Sequence, residues 1–524
     1  ATATSGSMPT ITLSYATYAA AAYNEQTDVY TFKNIRFAAP PTGPLRFQPP
    51  QSPVDETSLG VQDGSVGNTC YQSDPMWIVL EEIALASAAA AAASSTGAAT
   101  STSSAAAATP TPPQSEDCLF LDVYIPGGTV RSGDLSSANL PVMVWVYGGG
   151  YTNGYKDEFP GNLLINAADN QLIYVAINYR LGAFGWLAGP TYQSNATANL
   201  GLYDQRAAFE WVQEYIELFG GSKDDVTVFG ESAGGGSLMH QLTAYGSTDS
   251  PPFQKMIPQS PGWAPQYSPR LLEAQYQTLQ AAANCTSLQC LKDAPAEVLA
   301  AASNEIVTNA PYGSFVFGPA VDGTFVPALP GYLLLIGAFP KDVQVMSGHN
   351  ADEGYLFTPK NILNETDFET FVYGLTSTTN PAVVAEIAAL YPPPSSSTPY
   401  TSNFERASLV TSELVFTCNT RYLATAFGNN TYNYLFDVPP ALHGQDIQYT
   451  FGVGANQTVT AALEGYLTSF ARFGNPSEGR AAGTPEFPVY GEAANLLELG
   501  IDGFPVVPDS NANARCEFWQ KALY

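Results

Sequence analysis

One short stretch carries the clearest chemistry: Gly230-Glu231-Ser232-Ala233-Gly234, a single match to the pattern G-x-S-x-G. A serine hydroxyl is a weak nucleophile, so this chemistry also demands a base within reach and a carboxylate to orient that base. The chain holds 45 glycines in 524 residues, enough for a bare match to arise by chance roughly a few tenths of a time per chain. Context therefore decides. A β-type run, Val226 to Phe229, precedes the motif, and GGGSLMHQL, which can start a helix, follows it. A strand-to-helix turn this tight needs small neighbours, lifts the hydroxyl clear of the backbone and places the helix's unpaired N–H groups beside it.

The base must come from three histidines, His240, His349 and His443. His240 falls on the same presumed helix as Ser232, roughly two turns on, and is expected to be structural. His349 belongs to one loop with Glu353 and is expected to be a surface or loop-bracing residue. His443 sits in the polar segment Leu442-His443-Gly444-Gln445-Asp446, after a turn at Pro439-Pro440. Elimination leaves His443. For the orienting acid, Asn350-Ala351-Asp352-Glu353-Gly354 offers both Asp352 and Glu353 after an apolar run, the position where open α/β sheets keep their sites. With either acid the chain order is nucleophile, acid, base, as in α/β-hydrolases and unlike the trypsin or subtilisin orders. A developing oxyanion needs N–H donors fixed in advance. Gly149 and Gly150 in Tyr147-Gly148-Gly149-Gly150-Tyr151, with the amide of Ala233, are the natural donors.

These groups need a frame that brings distant segments together. Pro141 to Tyr147, Leu172 to Tyr179, Val226 to Phe229 and Val343 to Met346 read as buried parallel strands, the first and third running into glycines and the last into a polar loop, Ser347 to Gly354. Ala208, Trp211, Val212, Tyr215, Ile216 and Phe219 recur at spacings that put one apolar face on a crossover helix. Residues 360–470 read as mainly helical or irregular insertions within one domain spanning 1–524. No fixed-period repeat is found. Residues 84–113 are nearly all Ala, Ser, Thr and Pro. The Ala88 to Ala93 run favours helix, but the tract has little to bury and is expected to be a mobile or glycan-coated excursion.

Composition narrows the partners. Lys and Arg total 19 against 47 Asp and Glu, a net charge of -28, which repels phosphate backbones and anionic surfaces. Nucleic acid and membrane partners are not expected. The six cysteines show no zinc-ligand spacing and read as disulfides, so neither metal nor cofactor is called for. Sequons at Asn195, Asn284, Asn364, Asn429 and Asn456 agree with an oxidising, extracellular location. No long apolar span or signal-peptide pattern is present, and a mature, soluble chain is expected.

Taken in order, Asn34 to Pro41, Glu116 to Val123, Gly201 to Gln205, Gly230 to Gly236, Gln259-Ser260-Pro261, Asp352-Glu353-Gly354, His443-Gly444 and Cys516 to Trp519 resemble the type-B carboxylesterase/lipase family, and among its subgroups the secreted fungal carboxylesterases. The resemblance implies an α/β-hydrolase fold, a large mostly parallel mixed sheet flanked by helices. It implies a triad of Ser232, Glu353 and His443, choosing Glu353 over Asp352, and oxyanion donors at Gly149, Gly150 and Ala233. Ser260 is expected to brace the acid, and Glu231 to support the triad from beside the nucleophile. It further implies the pairs Cys70–Cys118, Cys285–Cys290 and Cys418–Cys516, the first closing a gorge-covering loop over 70–118. In that loop Met76, Val79, Leu80 and Ile83 have helical spacing with Glu81 and Glu82 beside them, either an amphipathic lid face or fixed core packing. Trp263 falls where the family places an acyl-pocket wall, and a bulky indole there favours short or aromatic acyl groups; a buried core role is the other reading. The expected activity is hydrolysis of small-molecule carboxylic esters by a secreted monomer or homodimer. A lipase acting on longer chains is the alternative, and a non-catalytic adhesion protein on the same scaffold a remoter one.

Overall fold

Runs rich in Val, Ile and aromatic residues form strands that bury both faces, and here they assemble into one sheet. The computed structural model describes residues 8–95, 113–264, 268–376 and 380–522. Its frame is an 11-stranded sheet. The strands are β1 (Ala22–Asn24), β2 (Val29–Arg36), β3 (Phe120–Pro126), β4 (Leu140–Val146), β5 (Ile173–Ile177), β6 (Gly221–Glu231), β7 (Lys255–Gln259), β8 (Gln344–Asn350), β9 (Tyr432–Asp437), β10 (Asn495–Gly500) and β11 (Val506–Pro508). Their spatial order is β1-β2-β3-β5-β4-β6-β7-β8-β9-β10-β11. Every neighbouring pair from β5 across to β10 is parallel, and the outer pairs are antiparallel.

The parallel stretch fixes where the chemistry must lie. Strand order reverses around β4, which pairs with both β5 and β6, and ligands bind beyond the carboxyl ends of strands at such a switch point. Gly230 pairs with Val146, Glu231 with Gln259, and Gln259 with Gly348. The segments leaving β4, β6, β7 and β8 consequently emerge at one edge. An isolated bridge between Asp352 and Leu442 then ties the segment after β8 to the segment after β9.

Helices pack around this frame, on the sheet or on one another: α1 (Met76–Ser95), α2 (Leu200–Tyr215), α3 (Ala233–Leu242), α4 (Asn403–Thr411), α5 (Cys418–Ala426), α6 (Asp446–Thr450) and α7 (Gln457–Phe473). The expected crossover helix is α2, continued by a 3₁₀ turn, and it buries Ala208, Trp211, Val212, Ile216 and Phe219. Below the site Trp145 meets the rings of Phe229 and Phe451, each at 4.9 Å. The cysteines pair as Cys70–Cys118, Cys285–Cys290 and Cys418–Cys516.

Three differences from the sequence reading matter. Ser347 to Asn350 is not loop but the buried end of β8. Its polar residues are tolerated there because they pair sideways, as Ser347 does by accepting from Asn433 Nδ2 at 2.9 Å. Within 360–470 lies a central strand, β9, which the helical reading passes over, because YNYLFD is short and lies between helix-forming segments. In α1, Met76, Leu80 and Ile83 are 47%, 58% and 57% exposed, so they are not core packing; of the stripe only Val79 is partly buried, and the helix buries Trp77 instead. The Ala88 to Ala93 run is helical as expected, whereas the expectation of a mobile tract falls, for residues 96–112, outside the described residues. No helix among the described residues is long and apolar enough to cross a membrane.

Candidate active site

Ser232 occupies the junction of β6 and α3 with φ 56° and ψ −122°, a conformation that costs a non-glycine residue of order 1–3 kcal/mol. The surroundings hold it there. A Cβ on Gly234 would meet the carbonyl oxygen of Val146 at 2.0 Å, and one on Gly235 would meet that of Gln259 at 2.7 Å. Only glycine at those positions lets α3 start this close to the ends of β4 and β7. The Ser232 amide donates to Gln259 O at 3.0 Å, and Ser232 O accepts from Gly236 N at 2.8 Å and Gly262 N at 3.0 Å. The side chain is left as the free group of the turn.

The structure brings Ser232, Glu353 and His443 together. His443 Nε2 lies 2.8 Å from Ser232 Oγ, and His443 Nδ1 lies 2.5 Å from Glu353 Oε2. Glu353 is fully buried. Its other oxygen accepts from Ser260 Oγ at 2.6 Å and from the Asn350 amide at 2.6 Å. Burial alone would raise the Glu353 carboxyl, but the charge and hydrogen bond of His443 and the hydroxyl of Ser260 outweigh it and hold it below its ordinary value. Asp352, the other candidate acid, forms the bridge to Leu442 and does not bond the imidazole.

Burial also disfavours the imidazolium, yet Glu231, Glu353 and Asp446 overcome it and raise His443 to about 9. Glu231 is 3% exposed, with Oε1 at 3.4 Å from His443 Nε2. Burial, reinforced by Asp446 and Glu353 and opposed by His443, pushes Glu231 up to about 8.

The glycine segment after β4 faces this group. Gly149 and Gly150 have φ of 87° and 62°; a Cβ on Gly149 would strike Asn153 O at 2.2 Å, and one on Gly150 the Phe315 ring at 2.1 Å. Their amides donate no hydrogen bond among the described residues. Ala233 is the first residue of α3, where amides lack an intrahelical acceptor. All three amides are thus candidates to donate to a ligand at Ser232.

The remaining histidines lie elsewhere. His240 is buried on α3, bonds Gly236 O at 2.9 Å through Nδ1, and is lowered by burial to about 4. His349 is buried rather than on the surface; it braces the end of β8, with Nδ1 at 3.0 Å from Asn350 O and Nε2 at 3.2 Å from Asn511 Nδ2. Trp263 is half-buried, edge-on to His240 at 5.1 Å, and directly follows Gly262, whose amide bonds Ser232 O.

Sequence reasoning missed Asp446 and Asn350. Asp446 is fully buried at the start of α6 and accepts from Tyr434 Oη at 2.7 Å, Gln259 Nε2 at 3.2 Å and Asn350 Nδ2 at 3.2 Å. Asn350 also donates from Nδ2 to Ser260 Oγ at 3.2 Å, so one amide joins a second carboxylate to the brace behind Glu353. The one available signal was the acidic residue closing the Leu442 to Asp446 segment. Among the sequons, Asn195, Asn284 and Asn364 are exposed, whereas Asn429 is half-buried with Nδ2 on Glu492 at 3.1 Å, and Asn456 caps α7.

The model of the carboxylesterase family matches residues 16–519. Carboxylesterase patB of Aspergillus clavatus is 39% identical, the alignment covering 100% of this chain and 98% of that protein. A secreted lipase of Arthroderma benhamiae is 31% identical over 78% of this chain and 83% of its own length. The crystal structure of Aspergillus niger EstA superposes with a TM-score of 0.82 at 26% identity, covering 98% of both chains. The mostly parallel sheet flanked by helices is accordingly the α/β-hydrolase fold. With a family model spanning almost its whole length and relatives that share its sequence from end to end, the chain belongs to the carboxylesterase family and is a carboxylic-ester hydrolase.

Proposed function

We propose that the chain is a secreted serine esterase that cleaves short-chain or aromatic acyl esters through an acyl-enzyme. The observation that carries this reading is the unbroken line of hydrogen bonds from Ser232 through His443 to Glu353. His443 Nε2 takes the Ser232 proton as Oγ attacks the ester carbonyl. The oxyanion is held by the amides of Gly149, Gly150 and Ala233, each worth roughly 3 kcal/mol of barrier. His443 next returns the proton to the leaving alcohol, and water repeats the sequence to free the acid. Glu353 fixes the imidazole's tautomer and stabilises its cation. No step calls for a cofactor or metal.

Trp263 supports the acyl preference, since it follows the residue whose amide bonds Ser232 and leaves part of its indole uncovered. The three disulfides and relatives named secreted lipases support secretion. A panel of p-nitrophenyl esters differing in acyl length tests the preference: acetate and butyrate should turn over faster than long-chain esters. The exposed stripe of Met76, Leu80 and Ile83 on α1 favours one second reading, a lipase with an apolar lid face. Faster hydrolysis of long chains above their solubility limit would favour it and count against the short-chain assignment.

A further inference from the structure

Between Tyr147 and Lys156 the chain carries its one Asn-Gly pair, Asn153-Gly154, in the segment that supplies two of the proposed oxyanion donors. The Gly154 amide donates to Asn153 Oδ1 at 2.7 Å and to Gln72 Oε1 at 3.0 Å. Asn153 Nδ2 donates in turn to Asp74 Oδ1 at 2.6 Å. The side-chain amide is thus held at both ends, its carbon one bond behind the oxygen that faces the next residue's nitrogen. Gly154 has φ 114°, and a Cβ there would meet the Tyr147 ring at 2.4 Å, so the site admits no side chain that would shield this nitrogen.

A backbone nitrogen next to a side-chain amide can close a five-membered ring, and holding the two groups in contact is what speeds such an intramolecular step. The Gly154 nitrogen forms a bond to Asn153 Cγ and gives up its proton; the bond from Cγ to Nδ2 breaks, and Nδ2 leaves with that proton as ammonia. One water then opens the cyclic imide. Opening at Cγ leaves an aspartate. Opening at the main-chain carbonyl carbon leaves an isoaspartate, with the chain now running through Cγ. Asn153 is half-buried and Asp74 is exposed, so the pair lies within reach of water, the only co-reactant consumed.

Either product puts a new negative charge into the segment. In the isoaspartate the charge sits on the former Asn153 carbonyl, whose oxygen a Cβ on Gly149 would meet at 2.2 Å. In the aspartate it replaces the amide that bonds Asp74, setting two carboxylates against each other. The Asn153 amide also donates to Gly149 O at 3.0 Å, so an extra backbone atom at this point displaces Gly149 directly. A negative charge beside the oxyanion donors opposes the charge that develops there during reaction. Resting on the serine-esterase reading, we propose that Asn153 is a self-modifying site: it converts to isoaspartate or aspartate through an imide with Gly154, and the conversion shuts down ester hydrolysis from within the oxyanion segment.

The test keeps the purified full chain in warm, mildly alkaline buffer, separates the more acidic species by anion exchange and maps every fraction by peptide mass spectrometry with isoaspartate detection. Asn153 should convert roughly tenfold or more faster than any other asparagine of the folded chain. The converted fraction should show a kcat for p-nitrophenyl acetate roughly tenfold or more below that of the unconverted fraction. Asn153→Gln, whose longer side chain would have to close a larger ring, should hold its starting activity over the same period. Comparing the wild-type fractions needs no variant, so the test stands even where Asn153→Gln does not fold. Asn153 converting no faster than the other asparagines overturns the proposal, and so does a converted fraction that keeps full activity. Labelling of Ser232 by a small dialkyl fluorophosphate keeps the two ideas apart. A fresh wild-type serine that never labels sinks the esterase mechanism and the effect on activity with it; normal labelling with Asn153 intact after storage sinks only the self-modification.

Discussion

Glu231 Oε1 stands 3.4 Å from His443 Nε2, the nitrogen that also faces Ser232 Oγ, and it has no hydrogen-bond partner among the described residues. A buried carboxyl in that position favours the protonated imidazole. Because the base works only when neutral, and His443 is raised to about 9, kcat/KM should climb as pH rises from acid through neutrality toward about 9. Glu231→Gln removes one source of that shift, so the rising limb should move to lower pH. A pH profile of both proteins checks this; a flat wild-type rate down to pH 4 would contradict it.

Ser232→Ala removes the proposed attacking atom and His443→Ala the proposed base. Each should lower kcat by several orders of magnitude, and the double variant should be little worse than either single one, because the groups act as a unit. Steady-state rates, with circular dichroism to show intact folding, check the pair.

Ser260 gives Glu353 a hydrogen bond of 2.6 Å inside the protein. Bonds to a charged group are worth about 1.5–3 kcal/mol, so Ser260→Ala should cut kcat roughly tenfold or more while leaving KM nearly unchanged. Asn350→Ala should add a stability loss of about 1–3 kcal/mol, since it strips a donor from buried Asp446 as well. Kinetics and urea unfolding separate the two effects.

Gly149→Ala places a methyl group 2.2 Å from the Asn153 carbonyl at a φ of 87°. The loop must shift, taking proposed oxyanion donors with it, and the expected loss in kcat is about a hundredfold. Comparing kcat with the melting temperature shows whether activity falls before the fold does.

Glycopeptide mapping of the protein expressed through the secretory pathway of a fungal host should find sugar at Asn195, Asn284 and Asn364, whose side chains are exposed. It should find Asn429 bare, because its amide is held by Glu492 and Thr431 is fully buried.

The parts of this site that were legible in the sequence are those with local signatures. The serine motif is short and punctuated by glycine, the chain has just three histidines to choose from, and apolar runs such as Pro141 to Tyr147 can hardly be anything but buried strands. Choosing Glu353 over Asp352 took the family resemblance, since adjacent acids look alike until a backbone bridge turns Asp352 away. Asn350 and Asp446 stayed hidden because their roles come from strand register: polar residues at the end of β8 look like loop until neighbouring strands supply their partners. Trp77 was passed over for a different reason. Helical spacing picked out Met76, Val79, Leu80 and Ile83 as one stripe, but periodicity does not say whether a stripe faces the core or the solvent.

Intact-protein and peptide mass spectrometry after treatment with a dialkyl fluorophosphate tests the central claim most directly. The expected result is one phosphoryl adduct per chain, located on Ser232, formed in step with loss of esterase activity and absent from Ser232→Ala. Full ester hydrolysis surviving in Ser232→Ala, or an inactivating adduct on another residue, would contradict it.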